Sequence, residues 1–499
     1  MNRGTDMGSS IDGGDSSASG QAAPLDLVIR NGTVATAGDT VRCDIGIRDG
    51  RIVALGEALG RAESVIDATG RLVTPGGIDS HCHMDQQPWE GQATVDDFRS
   101  GTLSAACGGT TTVIPFAMPL RGQSLRAVVD DYHRRAEGKA VIDYAFHLVV
   151  SDPSPQMLGQ DLPALIRDGC TSFKVYLTYE GLALADEEVL NVLDLAKREG
   201  AMVMVHAEND AVVRWLTERL LATGKTGIRH HVDAHPSIGD REATHRAISF
   251  AELMDVPILI THVSHRDGAE QIRWAQTRGL KIYGETCPQY LFLSAEDIAG
   301  PGNGHAGHHG HAHGMEGAKY VCTPPPREKA NQEHIWRALQ NGTFQVLSSD
   351  HSPYRFTDKI KGGPNTPFTK VPNGVPGIEL RMSLLLSEGV GKGRITLNQF
   401  VALTATNAAR IYGLYPRKGT IAVGADADIA IWDAEREWTV SHSLLHDNCD
   451  YTPYEGMRLR GWPLTTLSRG EIVWNGSEPQ AKPGRGQFLR CDLPAAPRP

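Results

Sequence analysis

Six side chains that could bind metal ions stand at the ends of predicted strands in this sequence. Each follows a short apolar or β-branched run, and helix-length stretches separate these runs. In a β/α barrel, a strand presents its terminal side chains at the mouth of the barrel rather than in the packed interior. The six residues are His81, His83, Lys174, His206, His262 and Asp350.

The lysine determines which chemistry this set can support. A protonated ammonium group repels divalent cations and cannot ligate them. If the Lys174 amine reacts with CO2, the resulting carbamate is an anion whose two oxygens can bridge two metals. The six residues together therefore predict a binuclear hydrolase in which Lys174 is N6-carboxylysine.

Each of these residues also has a structural explanation when taken alone. His81 and His83 lie on one side of a strand because side chains alternate with period two, but such pairs are common. Asp350, in SDHSP, would fit a helix N-cap. The joint pattern is far more specific, and within it Asp350 can ligate a metal and shuttle a proton. We expect His265 and His351 to lie beside the ligands, where ligating imidazoles need partners.

The middle of the chain alternates between apolar strand-like runs and helical patterns, which predicts a closed (β/α)8 TIM-like barrel over residues 71–416. An open doubly wound sheet is the alternative. It would need a phosphate-type glycine loop after its first strand, and here that strand ends in His-Cys-His. We place the strands near residues 72–80, 111–116, 144–150, 171–177, 202–206, 258–263, 281–285 and 344–349.

Short β-like runs with turn signals flank this region and predict a small β-sandwich built from both ends of the chain, residues 25–70 and 417–477. Residues 1–24 are rich in Gly, Ser and Asp and are interpreted as a disordered tail, and residues 478–499 as a C-terminal extension. Residues 300–314, GPGNGHAGHHGHAHG, form a histidine-rich insert. It could capture metal, but its glycines favour a mobile loop without a preorganised site.

Composition narrows the class of protein. The chain has 499 residues and a net charge of −10, which argues against a dominant nucleic-acid or anionic-membrane surface. No apolar run approaches the roughly 20 residues that span a bilayer, and the N-terminus lacks the apolar core of a signal peptide. The eight cysteines have no framework spacing. We expect reduced thiols in a cytoplasmic protein.

Four segments carry a resemblance to a known family. GGIDSHCHMD resembles the metal motif, and TSFKVYLTYEG the carbamylated-lysine segment, of the dihydropyrimidinase/hydantoinase branch of the amidohydrolase superfamily. GAKYVCTPPPR and FTKVPNGVPGIELRMSLL resemble its substrate-binding segments. The resemblance runs from about Leu25 to Leu489. It implies a catalytic role for Tyr179, substrate binding by Tyr179, Thr323 and Asn373, and a homotetramer, or a homodimer.

The resemblance also implies a reaction on a small cyclic amide. Two divalent cations, zinc first and manganese or cobalt as alternatives, would share a hydroxide that attacks the ring carbonyl. His81, His83 and Asp350 would hold the more buried metal, and His206 and His262 the other. Asp350 would transfer the proton to the leaving nitrogen, while Tyr179 stabilises the oxyanion. A dihydropyrimidine or 5-substituted hydantoin would yield an N-carbamoyl amino acid.

Two departures leave the substrate open. MDQQPWEGQ follows the metal histidines where relatives carry more apolar residues, and Thr323 replaces a usual serine. Allantoinase, dihydroorotase and cyclic imide hydrolase activities remain alternatives, although we find no clear pocket arginine for a carboxylate. A mononuclear deaminase would not need Lys174. A non-catalytic relative, like the dihydropyrimidinase-related neuronal proteins, would have lost ligands that are all present here.

Overall fold

The chain alternates between strands and helices through its middle and is mostly β at both ends. The computed structural model describes residues 24–86, 92–299 and 315–494. The predicted insert 300–314 lies outside these ranges, as do residues 1–23 of the predicted tail and 495–499 of the predicted extension. The strands are β1 (Leu25–Ala35), β2 (Thr40–Arg48), β3 (Arg51–Gly56), β4 (Ala62–Asp67), β5 (Leu72–Pro75), β6 (Gly77–Cys82), β7 (Thr110–Ala117), β8 (Asp143–Tyr144), β9 (His147–Val149), β10 (Ser172–Tyr176), β11 (Met202–His206), β12 (Ile258–Ile260), β13 (Ile282–Thr286), β14 (Val346–Leu347), β15 (Ile429–Thr439), β16 (Arg458–Ser468) and β17 (Glu471–Trp474).

The helices lie mainly between the central strands, as in a β/α alternation. They are α1 (Phe98–Cys107), α2 (Leu125–Ala136), α3 (Leu162–Arg167), α4 (Asp186–Glu199), α5 (Asp210–Ala222), α6 (His230–Ala234), α7 (Ser237–Met254), α8 (Arg266–Thr277), α9 (Pro288–Phe292), α10 (Ala295–Ala299), α11 (Gln332–Gln340), α12 (Phe356–Lys359), α13 (Arg381–Leu385), α14 (Leu397–Val401) and α15 (Asn407–Ile411). Among the described residues, no helix combines the length and apolar character needed to cross a membrane.

The central strands form one parallel sheet in the order β6, β7, β9, β10, β11, β12, β13, β14, with β8 beside β7. Backbone contacts at and just after the ends of the first and last strands bring the two edges of the sheet together. Cys82 forms a parallel bridge with His351, and the His83 amide donates to the His351 carbonyl at 2.7 Å. This closure and the parallel order confirm the predicted TIM-like barrel.

The two ends of the chain combine in a second, mainly antiparallel sheet with the order β17, β16, β15, β5, β1, β2, β3, in which β4 also pairs with β1. Ile429 of β15 pairs with Pro75 of β5, so the C-terminal strands continue the N-terminal sheet directly. This arrangement confirms the predicted β-sandwich built from both ends.

The strand predicted at 72–80 is in fact two strands in different sheets. Leu72–Pro75 pairs with β15 in the end sheet, while Gly77–Cys82 pairs with β7 in the barrel. Gly76 makes the crossing possible because its backbone passes close to Thr111, where an added Cβ would lie 2.3 Å from the Thr111 side chain. The sequence pattern does not show this crossing, because both strands are buried and together form one continuous apolar run.

Successive side chains of a strand point to opposite faces, so the side chains of the barrel strands form two apolar layers. Phe173 and Val175 of β10 pack in the cluster that faces the helices. Tyr176 belongs to the cluster inside the barrel, together with Met202 and Met204 of β11. Side chains at the alternate positions therefore point into the barrel, toward its carboxyl-terminal mouth.

Candidate metal centre

The structure brings the six sequence-predicted ligands to one place, the carboxyl end of the barrel. Lys174 shares the inward-facing side of β10 with Tyr176, and His206 ends β11 on the side shared with Met202 and Met204. His262 and Asp350 follow β12 and β14 within a few residues. Strand geometry thus explains why residues so distant in sequence meet here.

Three of these side chains form a tight group around one carboxylate oxygen. Nε2 of His81 lies 3.2 Å from Oδ1 of Asp350, and Nε2 of His83 lies 3.4 Å from the same oxygen. Nζ of Lys174 lies 2.8 Å from Nε2 of His81. The donor atoms of His81, His83 and Asp350 all fall within 4.8 Å of one another.

The remaining ligand candidates adjoin this group. The rings of His206 and His262 are 4.4 Å apart, and the His262 ring lies 5.3 Å from that of His81. Nδ1 of His262 is buried and has no hydrogen-bond partner among the described residues. A buried lone pair without a partner is costly, and a bound cation would satisfy it. The residues present therefore fit a divalent metal.

Burial keeps these side chains in the protonation states that metal binding requires. It lowers the pKa of His83 and His206, and lowers the pKa of His81 and His262 well below the usual 6.5, so all four imidazoles are neutral. Burial also lowers the pKa of Lys174 to about 8. A neutral amine is the form that can react with CO2.

Two buried carboxylates, which sequence reasoning missed, hold the ligand histidines. Oε1 of Glu285 lies 2.6 Å from Nδ1 of His81 and also accepts the His262 backbone N–H at 3.2 Å. Glu208 bridges Nε2 of His206 and Nδ1 of His235, each at 2.8 Å. Such partners fix the tautomer and orientation of ligating imidazoles. Glu208 lies two residues after His206, so the alternation of side chains along an extended segment could have predicted that the two lie on the same side.

The two other predicted partners lie close to the ligands but differ in their contacts. The Nε2–H of His351 donates to Oδ2 of Asp96 at 3.0 Å, and its Nδ1 accepts the Gly377 amide at 3.1 Å. His265 approaches Asp240, with Nδ1 3.7 Å from Oδ2. The second distance is too long for a hydrogen bond, and neither contact includes the ring of a ligand candidate.

Three of the predicted site residues have a left-handed backbone, which non-glycine residues adopt rarely. The φ angles are 80° for Tyr179, 37° for His262 and 50° for Asp350. A residue with a Cβ pays a steric cost for this conformation, and such residues cluster at functional sites. All three side chains line the same cavity.

That cavity, of about 360 Å³, opens over the ligand cluster. Its wall includes Thr323, Asn373 and Tyr179, so the structure places the three predicted substrate-binding residues beside the ligands. His81 is completely buried and does not line the cavity. The space accommodates a small ring together with a substituent.

The polar loop after His83 contributes directly to the site. The side-chain amide of Gln86 lies 2.8 Å from Nδ1 of His83, and Gln92 lines the cavity. Residues 87–91 of MDQQPWEGQ are outside the described ranges. The cavity wall also carries an arginine that sequence reasoning did not identify, Arg214, whose Nε pairs with Asp210 at 2.7 Å.

The sequence and the fold also match those of known proteins. Residues 72–473 match the family described as "Amidohydrolase family", and residues 7–73 match "Urease alpha-subunit, N-terminal domain". The chain is 45% identical to a D-hydantoinase of Geobacillus stearothermophilus over 93% of this chain and 96% of that protein. It is 42% identical to a D-hydantoinase of Ralstonia pickettii over 93% and 99%. The crystal structure of a dihydropyrimidinase from Brevibacillus agri is 43% identical, with a TM-score of 0.90 over 94% of this chain and 100% of that one.

Proposed function

The chain belongs to the amidohydrolase family and to its hydantoinase/dihydropyrimidinase branch, and from this premise we propose how its residues open a cyclic amide. It is a hydrolase of cyclic amides, and the family implies a divalent metal centre. We propose that the substrate is a dihydropyrimidine or a 5-substituted hydantoin and that the product is an N-carbamoyl amino acid.

The observation that carries the site assignment is the convergence on Asp350. His81, His83 and Asp350 would hold the more buried metal, since their donor atoms lie within 4.8 Å of one another. His206 and His262 would hold the second. The Nδ1 atom of His262 supports this, because it has no hydrogen-bond partner among the described residues. Zinc fits the mixed nitrogen and oxygen donors, as would manganese or cobalt.

Lys174 would bridge the two half-sites as a carbamate. Its neutral amine attacks CO2, an N–C bond forms, and one proton leaves, so that a buried neutral group becomes an anion with two oxygen donors. The depressed pKa of about 8, caused first by burial, favours the reactive amine. Nζ lies 2.8 Å from Nε2 of His81, so the new oxygens would stand among the histidines.

Two metals, when bound, lower the pKa of a water molecule and polarise the scissile carbonyl. Asp350 would take the proton of the attacking water and return it to the leaving ring nitrogen. The hydroxyl of Tyr179, whose ring lies 5.0 Å from that of His206, would donate to the developing oxyanion. Backbone groups at Thr323 and Asn373 would hold the amide edge of the ring.

The cavity also bears on the alternative substrates. Dihydroorotate carries a carboxylate, and Arg214 is the arginine among the described lining residues. Its charge is already matched by Asp210 at 2.7 Å. We therefore expect dihydroorotate to be the poorest substrate in a hydrolysis panel with dihydrouracil, 5-substituted hydantoins, allantoin and succinimide.

The decisive experiment replaces the bridging lysine. Lys174→Ala should lose metal and activity together, as measured by elemental analysis and ring-opening rate, and a short carboxylate such as acetate should restore part of both. Lys197→Ala, at an exposed position of α4, is the control. Two metals per chain retained without Lys174 would refute the bridge.

We also propose that the protein forms a homotetramer, or a homodimer, and that it is located in the cytoplasm. Helix α5 has no buried residue, and Trp215 and Leu221 on it are 56% and 40% exposed. Large apolar side chains exposed on one helix favour self-association. All eight cysteines are free, which suits a reducing compartment. Light scattering coupled to gel filtration measures the assembly.

A further inference from the structure

A lysine outside the metal centre is completely buried and has no anionic partner in residues 24–86, 92–299 and 315–494. Lys359, the last residue of α12, is 0% exposed, and its Nζ donates to the carbonyls of Val321 at 2.9 Å and Pro372 at 3.0 Å. In the described part of the chain, no carboxylate forms an ion pair with it. A buried cationic side chain without a counter-charge is expensive, which points to a specific role.

Its two acceptors belong to the two segments that hold the predicted substrate contacts. Val321 lies two residues before Thr323, and Pro372 directly precedes Asn373. Both segments line the cavity. The Gly374 amide also donates to the Val321 carbonyl, at 3.1 Å. One amino group thus joins the two backbone walls between which the ring would lie.

We propose that Lys359 is a positioning residue that fixes the distance between the Thr323 and Asn373 backbones, and so the slot that receives the amide edge of the substrate. This inference rests on the proposed roles of Thr323 and Asn373. Lys359 does not line the cavity, so it acts through the two walls and not by touching the substrate.

The chemistry of an amine suits this task. Burial lowers the pKa of Lys359 to about 7, and a neutral amine has two N–H groups, which match the two carbonyl acceptors. Without a donor, the Pro372 carbonyl would lose its bond to Nζ, while the Val321 carbonyl would keep the Gly374 amide. The 372–374 segment should then shift relative to 321–323.

The groups around Lys359 are already held by other hydrogen bonds. The next carbonyl, that of Cys322, already accepts from Nε2 of His231 at 2.9 Å. Asp450 receives the first backbone amide of α12, Phe356, at 2.5 Å and so anchors the helix that carries Lys359. A fixed helix therefore holds both walls through a single side chain.

The test compares Lys359→Met, which removes the donor, with Lys359→Gln, which keeps two N–H groups on a shorter chain. For the best substrate of the panel, Lys359→Met should raise KM by about tenfold or more, with kcat lowered by less than about threefold, and Lys359→Gln should fall between. Metal content should equal that of the parent. Lys197→Met is the control, since Lys197 also donates to a backbone carbonyl, that of Met254 at 2.8 Å, and neither residue lines the cavity.

The outcomes separate the two proposals. A KM for Lys359→Met within about twofold of the parent, or equal to that of Lys197→Met, overturns the positioning role. If Lys359→Met does not fold, the same criterion is applied to Lys359→Gln. A parent enzyme that hydrolyses no compound of the panel overturns the proposed function instead, before any variant is compared.

Discussion

Nδ1 of His81 lies 2.6 Å from Oε1 of Glu285, and both side chains are completely buried. The Nδ1–H of His81 donates to the carboxylate, which leaves Nε2 free to face Asp350 and Lys174. The same oxygen accepts the His262 amide, so one acid holds ligands of both proposed half-sites.

Replacing Glu285 by glutamine should weaken metal binding, because the amide is a poorer acceptor for the His81 N–H. We expect the affinity for the more tightly held metal to fall by about 10- to 100-fold. Competition with a chelator, followed by metal release, measures it. Asp233→Asn is a matched control, since Asp233 also bonds a histidine, His230, at 2.7 Å but does not line the cavity. Equal effects of the two substitutions would contradict the prediction.

Glu208→Gln should act on the other half-site. Glu208 receives Nε2–H of His206 at 2.8 Å, which leaves Nδ1 of His206 as the ligating atom. The second metal should therefore dissociate more easily, and the content should fall from two ions toward one at limiting metal. Elemental analysis after dialysis measures this. A content that stays at two ions per chain at limiting metal would contradict this role of Glu208.

Tyr179→Phe should slow ring opening without removing metal. The hydroxyl is the group proposed to meet the oxyanion, and loss of one such donor typically lowers kcat by about 10²- to 10³-fold. Steady-state kinetics and metal analysis of one preparation measure both quantities. Tyr132→Phe, buried on α2, controls for the loss of a phenol. An unchanged kcat would remove Tyr179 from the reaction.

The pKa of Lys359 predicts a pH-dependent stability. Burial lowers this pKa from 10.5 to about 7, against weaker opposing contributions from Cys322 and Cys449. Between about pH 7 and 10.5 the unfolded chain therefore binds more protons at Lys359 than the folded chain, so this group makes folding more favourable as pH rises.

The parent should gain up to about 1.4 kcal/mol of unfolding free energy per pH unit in that window relative to Lys359→Met. Urea denaturation of both proteins at pH 7, 8 and 9, with metal present, gives the difference. A difference that does not change with pH would mean that Lys359 keeps its proton in the folded protein.

Deletion of residues 302–314 should leave turnover unchanged when metal is in excess. Their glycine-rich composition does not favour a preorganised site. Activity is compared at saturating and at limiting metal. A large loss at saturating metal would contradict the interpretation as a loop without a catalytic role.

The meeting of the six side chains could be predicted from the sequence because each lies in or just after a barrel strand, and the carboxyl ends of those strands converge at the mouth of the barrel. The carboxylates behind the ligands were harder to predict. Glu285 lies inside β13, in IYGET, where the only sign of its role is a charged residue in a buried strand. Its partner His81 is 204 residues away, so the pairing depends on the tertiary fold.

Other features depended on contacts that no local pattern specifies. The change of sheet at Gly76 follows from a close approach to Thr111, and the role of Lys359 from two carbonyls outside α12. Periodicity gives the side on which a residue lies. It does not give the neighbour that the residue meets there.

The pairing of β5 with β15 has a consequence for biosynthesis. Pro75 meets Ile429 in the finished sheet, so the N-terminal half of that sheet leaves the ribosome long before its partner exists. At about 5–20 residues per second, the wait is roughly 20 to 70 s. During that time the edge of β5 is open to pairing with other nascent chains. The yield of folded protein in a cell would therefore depend on how well this edge is protected, for example by a chaperone.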